Sequence, residues 1–145
     1  MSNEQFRPTG FRILPTVIKN LLIINVLFYL ATISVGSAFH IDLTEILGLH
    51  YIGSEKFSPY QFITYMFMHD PTGFSHIFFN MFALWMFGNA LENLWGPKRF
   101  LTYYIVTGLG AALLHYLIVY FEMRPITEVI NGFIQEPSPD GFKAL

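Results

Sequence analysis

From Val17 to Phe39 the chain carries a single charged residue, Lys19, in a run whose other main interruptions are Asn20, Asn25 and Gly36. A helix of that length matches a hydrocarbon core of ~30 Å at ~1.5 Å rise per residue. Lys19 sits near the start, where its amine can snorkel to the interface. The run begins too late, and is too long, for a cleaved leader, and no A-x-A-like site follows it. It reads as a retained first transmembrane helix. Only 12% of the residues are charged and 53% are hydrophobic, against about 25% charged in a soluble domain. The bilayer is therefore the expected solvent. Sixteen Phe and eight Tyr suit lipid-facing and interfacial positions. A net charge of −2 excludes a basic nucleic-acid footprint. With no cysteine, disulfides and thiolate metal sites are excluded as well.

Residues 1–16 form a polar tail expected in the cytoplasm. The membrane domain is expected over 17–121, with spans at about 17–39, 74–94 and 100–121. Between the first two spans, residues 43–49 suit a short interfacial helix, and Tyr60–Met68 a membrane-dipping or interfacial element. The sequence His69-Asp70-Pro71-Thr72-Gly73 is a strong turn signal, because proline restricts φ and glycine accepts positive φ. A second turn is expected around Gly96-Pro97-Lys98-Arg99. Residues 122–145 read as an outer-face segment with a short amphipathic helix built on Ile126, Val129, Ile130, Phe133 and Ile134. The chain ends without a cap or charged tail, as if cut within a longer protein. The fold class is all-α: a polytopic membrane protein with three transmembrane helices and a membrane-dipping loop.

Orientation follows from the Lys/Arg bias. Arg7 and Arg12 precede the first span, Lys19 stands at its edge, and Lys98 and Arg99 follow the second. Both places are expected to be cytoplasmic, which puts the His76 end of span two on the outer side of a plasma or inner membrane.

Within span two, His76 and Asn80 are one helical turn apart. Residues four apart share a helix face, with about 6 Å between them. Polar groups at that depth are costly and turn toward a cavity or partner. An imidazole and a carboxamide converging on one spot form what a developing oxyanion needs. By position and spacing alone, the same pair also suits hydrogen-bonded glue between helices.

The stretch Tyr60–His69, then Ser75-His76-Ile77-Phe78-Phe79-Asn80-Met81, then Phe87-Gly88, Glu92, Gly96 and Arg99-Phe100, resembles the rhomboid family of intramembrane serine proteases. The resemblance covers roughly residues 17–121 and implies a partial rhomboid fold, its first three core helices. It implies that His76 and Asn80 line the oxyanion hole. It also implies that Glu92 and Gly96 are a structural carboxylate and a turn glycine at the cytoplasmic end of the second helix. Tyr60-Gln61 stands where the family often has Trp-Arg or Trp-Gln, and the His69-to-His76 spacing is longer than the family's. No cofactor or metal is implied. The implied partners are the lipid bilayer, transmembrane protein substrates, and C-terminal helices of the same protein that this sequence does not contain.

The family's nucleophile is a serine in G-x-S-G on a fourth helix, activated by a histidine on the sixth. None of Ser2, Ser34, Ser37, Ser54, Ser58, Ser75 or Ser138 lies in such a setting. Gly36-Ser37-Ala38 with His40 nearby is a superficial lookalike. The chain alone is therefore expected to be inactive. A rival reading is a non-catalytic rhomboid-like protein that binds transmembrane helices, and a weaker one is a small three-helix subunit unrelated to proteolysis. A His69/His76/His115 metal site lacks ligand-type spacing; His69, His40 and His50 suit interfacial loops, and His115 the outer end of span three. Glu92 is expected to pair with Lys98 or Arg99, and Trp85 and Trp95 to be interface anchors. Gly108 and Ala112 form a small-x-x-x-small patch, expected to allow close helix contact in span three.

Overall fold

In a computed structural model, residues 10–135 of the chain are described, and every regular element among them is helical. The first part of the expected tail, 1–9, and the end of the expected outer segment, 136–145, lie outside the described residues. Helix α1 spans Thr16–Phe39, α2 Leu43–Leu47, α3 Gln61–Thr64, α4 Phe74–Trp95 and α5 Pro97–Gln135. Two of them, α1 and α5, are long and apolar enough to cross a membrane. Helix α4 has the length as well, at 22 residues. Its apolar character is diluted by His76, Asn80, Asn89, Glu92 and Asn93.

The chain divides into two compact units, residues 1–106 and 107–145. The core of the first unit is Ile18, Leu21 and Phe100, with Val17, Leu22, Phe67, Leu84, Leu91 and Tyr104 packed around it. Helix α1 therefore lies against α4 and the first turns of α5. The approach depends on Gly88 of α4. A Cβ at that position would stand 2.2 Å from Ile18 Cδ1 and 3.2 Å from Phe100 Cζ. The absence of a side chain there lets the Ile18 and Phe100 side chains pack directly onto the α4 backbone, making dispersion contacts of the kind that hold helices together in lipid.

The buried polar residues of α1 bond back to their own helix, and Asn25 also hydrogen-bonds the Tyr104 side chain of α5. Asn25 Nδ2 donates to the Leu21 carbonyl at 2.7 Å, and Thr32 Oγ1 to that of Phe28 at 2.9 Å. The helix ends at His40, whose φ of 57° is left-handed and whose N–H donates to the Gly36 carbonyl at 3.1 Å. A non-glycine residue in that region costs about 1–2 kcal/mol, so a tight stop at the end of α1 is imposed on the backbone.

The connection from α1 to α4 is ordered around Gln61, which is only 1% exposed. Its Nε2 donates to the carbonyls of Ile46 and Lys56 at 3.2 and 2.9 Å, and its Oε1 accepts from His50 N–H and Ser58 N–H, both at 3.2 Å. A carboxamide has two donor hydrogens and two acceptor lone pairs, and all four are used. Asp42 caps α2 by accepting from the N–H groups of Thr44 and Glu45. After α3, a 3-10 turn at Tyr65–Phe67 stacks Phe67 on Phe28 of α1, with ring centroids 5.8 Å apart.

Helix α4 ends at Gly96, with φ of 82°, and its N–H donates to the Glu92 carbonyl at 2.9 Å. Pro97 then opens α5, a position where its missing N–H is no loss. The separate amphipathic helix expected after Met123 is instead part of α5. That helix runs through Pro125 without a break, although an internal proline costs about 3 kcal/mol. The apolar spacing of Ile126, Val129 and Ile130 belongs to the same helix as the preceding span. Arg124 and Glu128 form an i,i+4 ion pair beside the proline at 3.1 Å.

Candidate functional site

Two clusters of polar side chains lie on α4, at opposite ends. At the C-terminal end, Glu92 is 4% exposed. Its Oε1 accepts from Val17 N–H at 2.9 Å and its Oε2 from Ile18 N–H at 2.8 Å. The expected pairing of Glu92 with Lys98 or Arg99 is replaced by this contact. The reason lies in the start of α1. Pro15 stands at the N-cap and offers no side-chain acceptor, so the first N–H groups of the helix are orphaned. A carboxylate placed there makes two charge-assisted bonds and faces the positive end of the helix dipole. An exposed ion pair with a flexible lysine is worth far less.

The same end of α4 grips the residues before α1. Asn89 Nδ2 and Trp85 Nε1 both donate to the Ile13 carbonyl, at 2.6 and 3.2 Å. Asn93 accepts from Arg12 N–H and donates to its carbonyl, both at 2.9 Å. Residue identity alone offered little signal for this clamp, because its members are separated by more than 70 positions in the chain. The one available hint was the amphipathic polar stripe Asn89, Glu92 and Asn93.

At the N-terminal end, His76 and Asn80 occupy successive turns of α4, and both are exposed. Neither side chain has a hydrogen-bond partner among the described residues. The His76 ring meets His69 edge-on, with centroids 5.9 Å apart and planes at 77°. His69 is 7% exposed, and its Nδ1 lies 3.2 Å from the Phe67 carbonyl. With Nδ1 protonated and donating, Nε2 is the free acceptor. Burial pushes the His69 pKa down; the Phe67 carbonyl partly opposes that, and the nearby His76 adds to it. Asp70 is held below the usual carboxylate range by its hydrogen bonds from Thr72 Oγ1 and N–H, at 2.7 and 2.8 Å. Those bonds close the turn that leads into α4. A cavity of about 640 Å³ opens beside it, lined by Thr32, Gly36, His40, Asp42, His69 and Asp70 among others.

Other sequence candidates are placed elsewhere. Ser37 Oγ donates to the Ser34 carbonyl at 3.1 Å, a bond within its own helix, and His40 serves as the C-cap of α1. His50 Nε2 contacts the Glu45 carbonyl. Gly108 and His115 belong to the second unit. Among the described residues, no three His, Asp or Glu side chains are grouped to hold a metal ion. Gln61 was not singled out as a site residue; its signal was the Tyr60-Gln61 pair itself.

No curated protein and no solved structure matches this chain. A family model described as the Rhomboid domain matches residues 56–132. That stretch takes in more than half of the chain, including α3, the His69–Gly73 turn, all of α4 and most of α5, and by this match the chain belongs to the rhomboid family.

Proposed function

We propose that this chain supplies the N-terminal part of a rhomboid-type intramembrane serine endopeptidase, with His76 and Asn80 as oxyanion-hole side chains. The observation that carries the reading is that these two side chains have no hydrogen-bond partner among the described residues, on a helix whose other polar cluster is hydrogen-bonded to the segment before and at the start of α1. A serine and a base histidine from further helices of a longer polypeptide complete the chemistry. The serine oxygen attacks the carbonyl carbon of a transmembrane substrate, its proton passes to the histidine, and the carbonyl oxygen becomes an anion. The His76 ring N–H, the Asn80 amide and a backbone N–H then hold that anion. Each such donor contributes about 3 kcal/mol to the transition state. Catalysis requires no cofactor or metal. His69, through its edge-on contact with His76, acts as a positioning residue.

In this reading α4 is a third span beside α1 and α5, tolerating its polar residues because they face protein or a wet cavity. The N-terminus and the Lys98–Arg99 turn are cytoplasmic, as the Lys/Arg bias favours. Close helix contact at Gly108 and ordering of the turn by Gly96 and Arg99 belong to the same proposal.

The test uses the longest open reading frame that contains this chain. Asn80→Ala is expected to lower kcat about a hundredfold on a transmembrane substrate while leaving KM nearly unchanged. An unchanged kcat refutes the assignment. A second reading, a non-catalytic rhomboid-like protein that binds transmembrane helices, is favoured by one observation: no serine of the chain lies in G-x-S-G. A reading frame that continues without that motif establishes the second reading over the first.

A further inference from the structure

The capture of Glu92 by α1 leaves a consequence at the start of α5. Lys98 and Arg99 lose the carboxylate nearest to them in sequence, and no ion pair involves either cation among the described residues. Together with Trp95, Thr102, Tyr103 and Val106 they line a pocket of about 550 Å³. The Trp95 and Tyr103 rings meet edge-to-face at 5.2 Å and 78°. The indole N–H of Trp95 has no acceptor among the described residues. Thr102 Oγ1 is engaged with the Lys98 carbonyl at 3.0 Å. The pocket thus joins two unpaired cations and a free indole donor to an apolar side formed by the aromatic pair and Val106.

It also occupies the first turns of α5, a helix long and apolar enough to cross a membrane. Trp and Tyr at such a place sit at headgroup level. Guanidinium matches phosphate oxygens bidentately, and an ammonium acts as a point charge beside it. We propose that this pocket binds the headgroup phosphate of an anionic phospholipid, with Arg99 and Lys98 on the phosphate, Trp95 N–H on a glycerol or phosphate oxygen, and the upper acyl chain along Val106 and the aromatic pair. The site is independent of the oxyanion-hole assignment and rests only on membrane residence. A free phosphate would satisfy the cations but leave the apolar side wet, so the pocket favours the lipid.

The test reconstitutes the full chain with Trp85→Phe, so that Trp95 alone reports, in phosphatidylcholine vesicles containing acyl-brominated phosphatidylglycerol or acyl-brominated phosphatidylcholine. Brominated phosphatidylglycerol is expected to quench Trp95 at mole fractions where the brominated zwitterion does not. Each cation near an anionic lipid surface is worth a factor of about five. Lys98→Gln with Arg99→Gln is therefore expected to weaken the apparent lipid affinity about 25-fold, whereas Lys56→Gln with Arg124→Gln leaves it unchanged. Equal quenching by the two brominated lipids overturns the proposal, and that comparison needs no charge variant. Loss of the preference in both double variants also overturns it, since that reports general surface charge. So does displacement of the lipid by inorganic phosphate, which would make the pocket a free-anion site.

Discussion

The two polar clusters of α4 differ in whether their hydrogen-bonding groups are already engaged. Around Asn89, Glu92 and Asn93, side chains are bonded to the backbone of Arg12, Ile13, Val17 and Ile18. Around His76 and Asn80, the side chains are exposed and make no hydrogen bond among the described residues; His76 meets the His69 ring and lies within the field of Asp70. In a low-dielectric setting an engaged polar group rigidifies, while a free one is a liability unless it has a task. One helix thus carries an anchor at one end and a candidate site at the other. Stability should track the first, and function the second.

The largest effect is expected at the anchor. Glu92→Leu removes the acceptor of two N–H groups at the buried start of α1 and should cost about 3 kcal/mol, since each stranded buried donor costs about 1–3 kcal/mol. Thermal unfolding in detergent measures it, and an unchanged midpoint would break the distinction between the two ends. Next is the helix contact above it. Gly88→Leu forces a side chain into Ile18 and Phe100 and should cost about 2 kcal/mol by overpacking, read from the same melt.

A smaller effect comes from pH. The folded state holds the His69 pKa below its ordinary 6.5, so above that value the ring is neutral whether the chain is folded or not. As pH falls below it, the unfolded chain takes up a proton that the folded chain resists, and stability declines. Melting midpoints should therefore drop between neutral and mildly acidic pH, and His69→Gln should flatten that slope. The smallest stability effect is expected at the free end. His76→Ala and Asn80→Ala should each shift stability by no more than about 0.5 kcal/mol, because no bond is lost. A loss at either position as large as that of Glu92→Leu would make the pair structural glue.

Much of the architecture was legible because it is local. Apolar run length marked α1 and most of α5, Asp70-Pro71-Thr72-Gly73 marked the turn before α4, and Gly96-Pro97 marked the boundary between α4 and α5. The four-residue spacing of His76 and Asn80 placed them on one helix. The separate short helix expected within 122–145 is instead a continuation of α5 as far as Gln135, since the penalty of Pro125 is outweighed by the helix on either side of it. Assigning Glu92 to Lys98 or Arg99 failed for a different reason: the nearest opposite charge in sequence was weighed, whereas the orphaned N–H groups of α1 lay about 75 positions away.

Residue type and periodicity by themselves determined that this chain is helical, with runs long and apolar enough to cross a membrane, because hydropathy and turn chemistry act over a few residues; the spaced motifs between Tyr60 and Phe100 carried the rhomboid resemblance. Tertiary structure alone decided that Glu92 caps α1, that Gly88 is the contact glycine, and that Gln61 ties the loop through four bonds. Those outcomes depend on which unsatisfied backbone groups come within about 3 Å of a side chain, and that proximity arises only once distant segments pack.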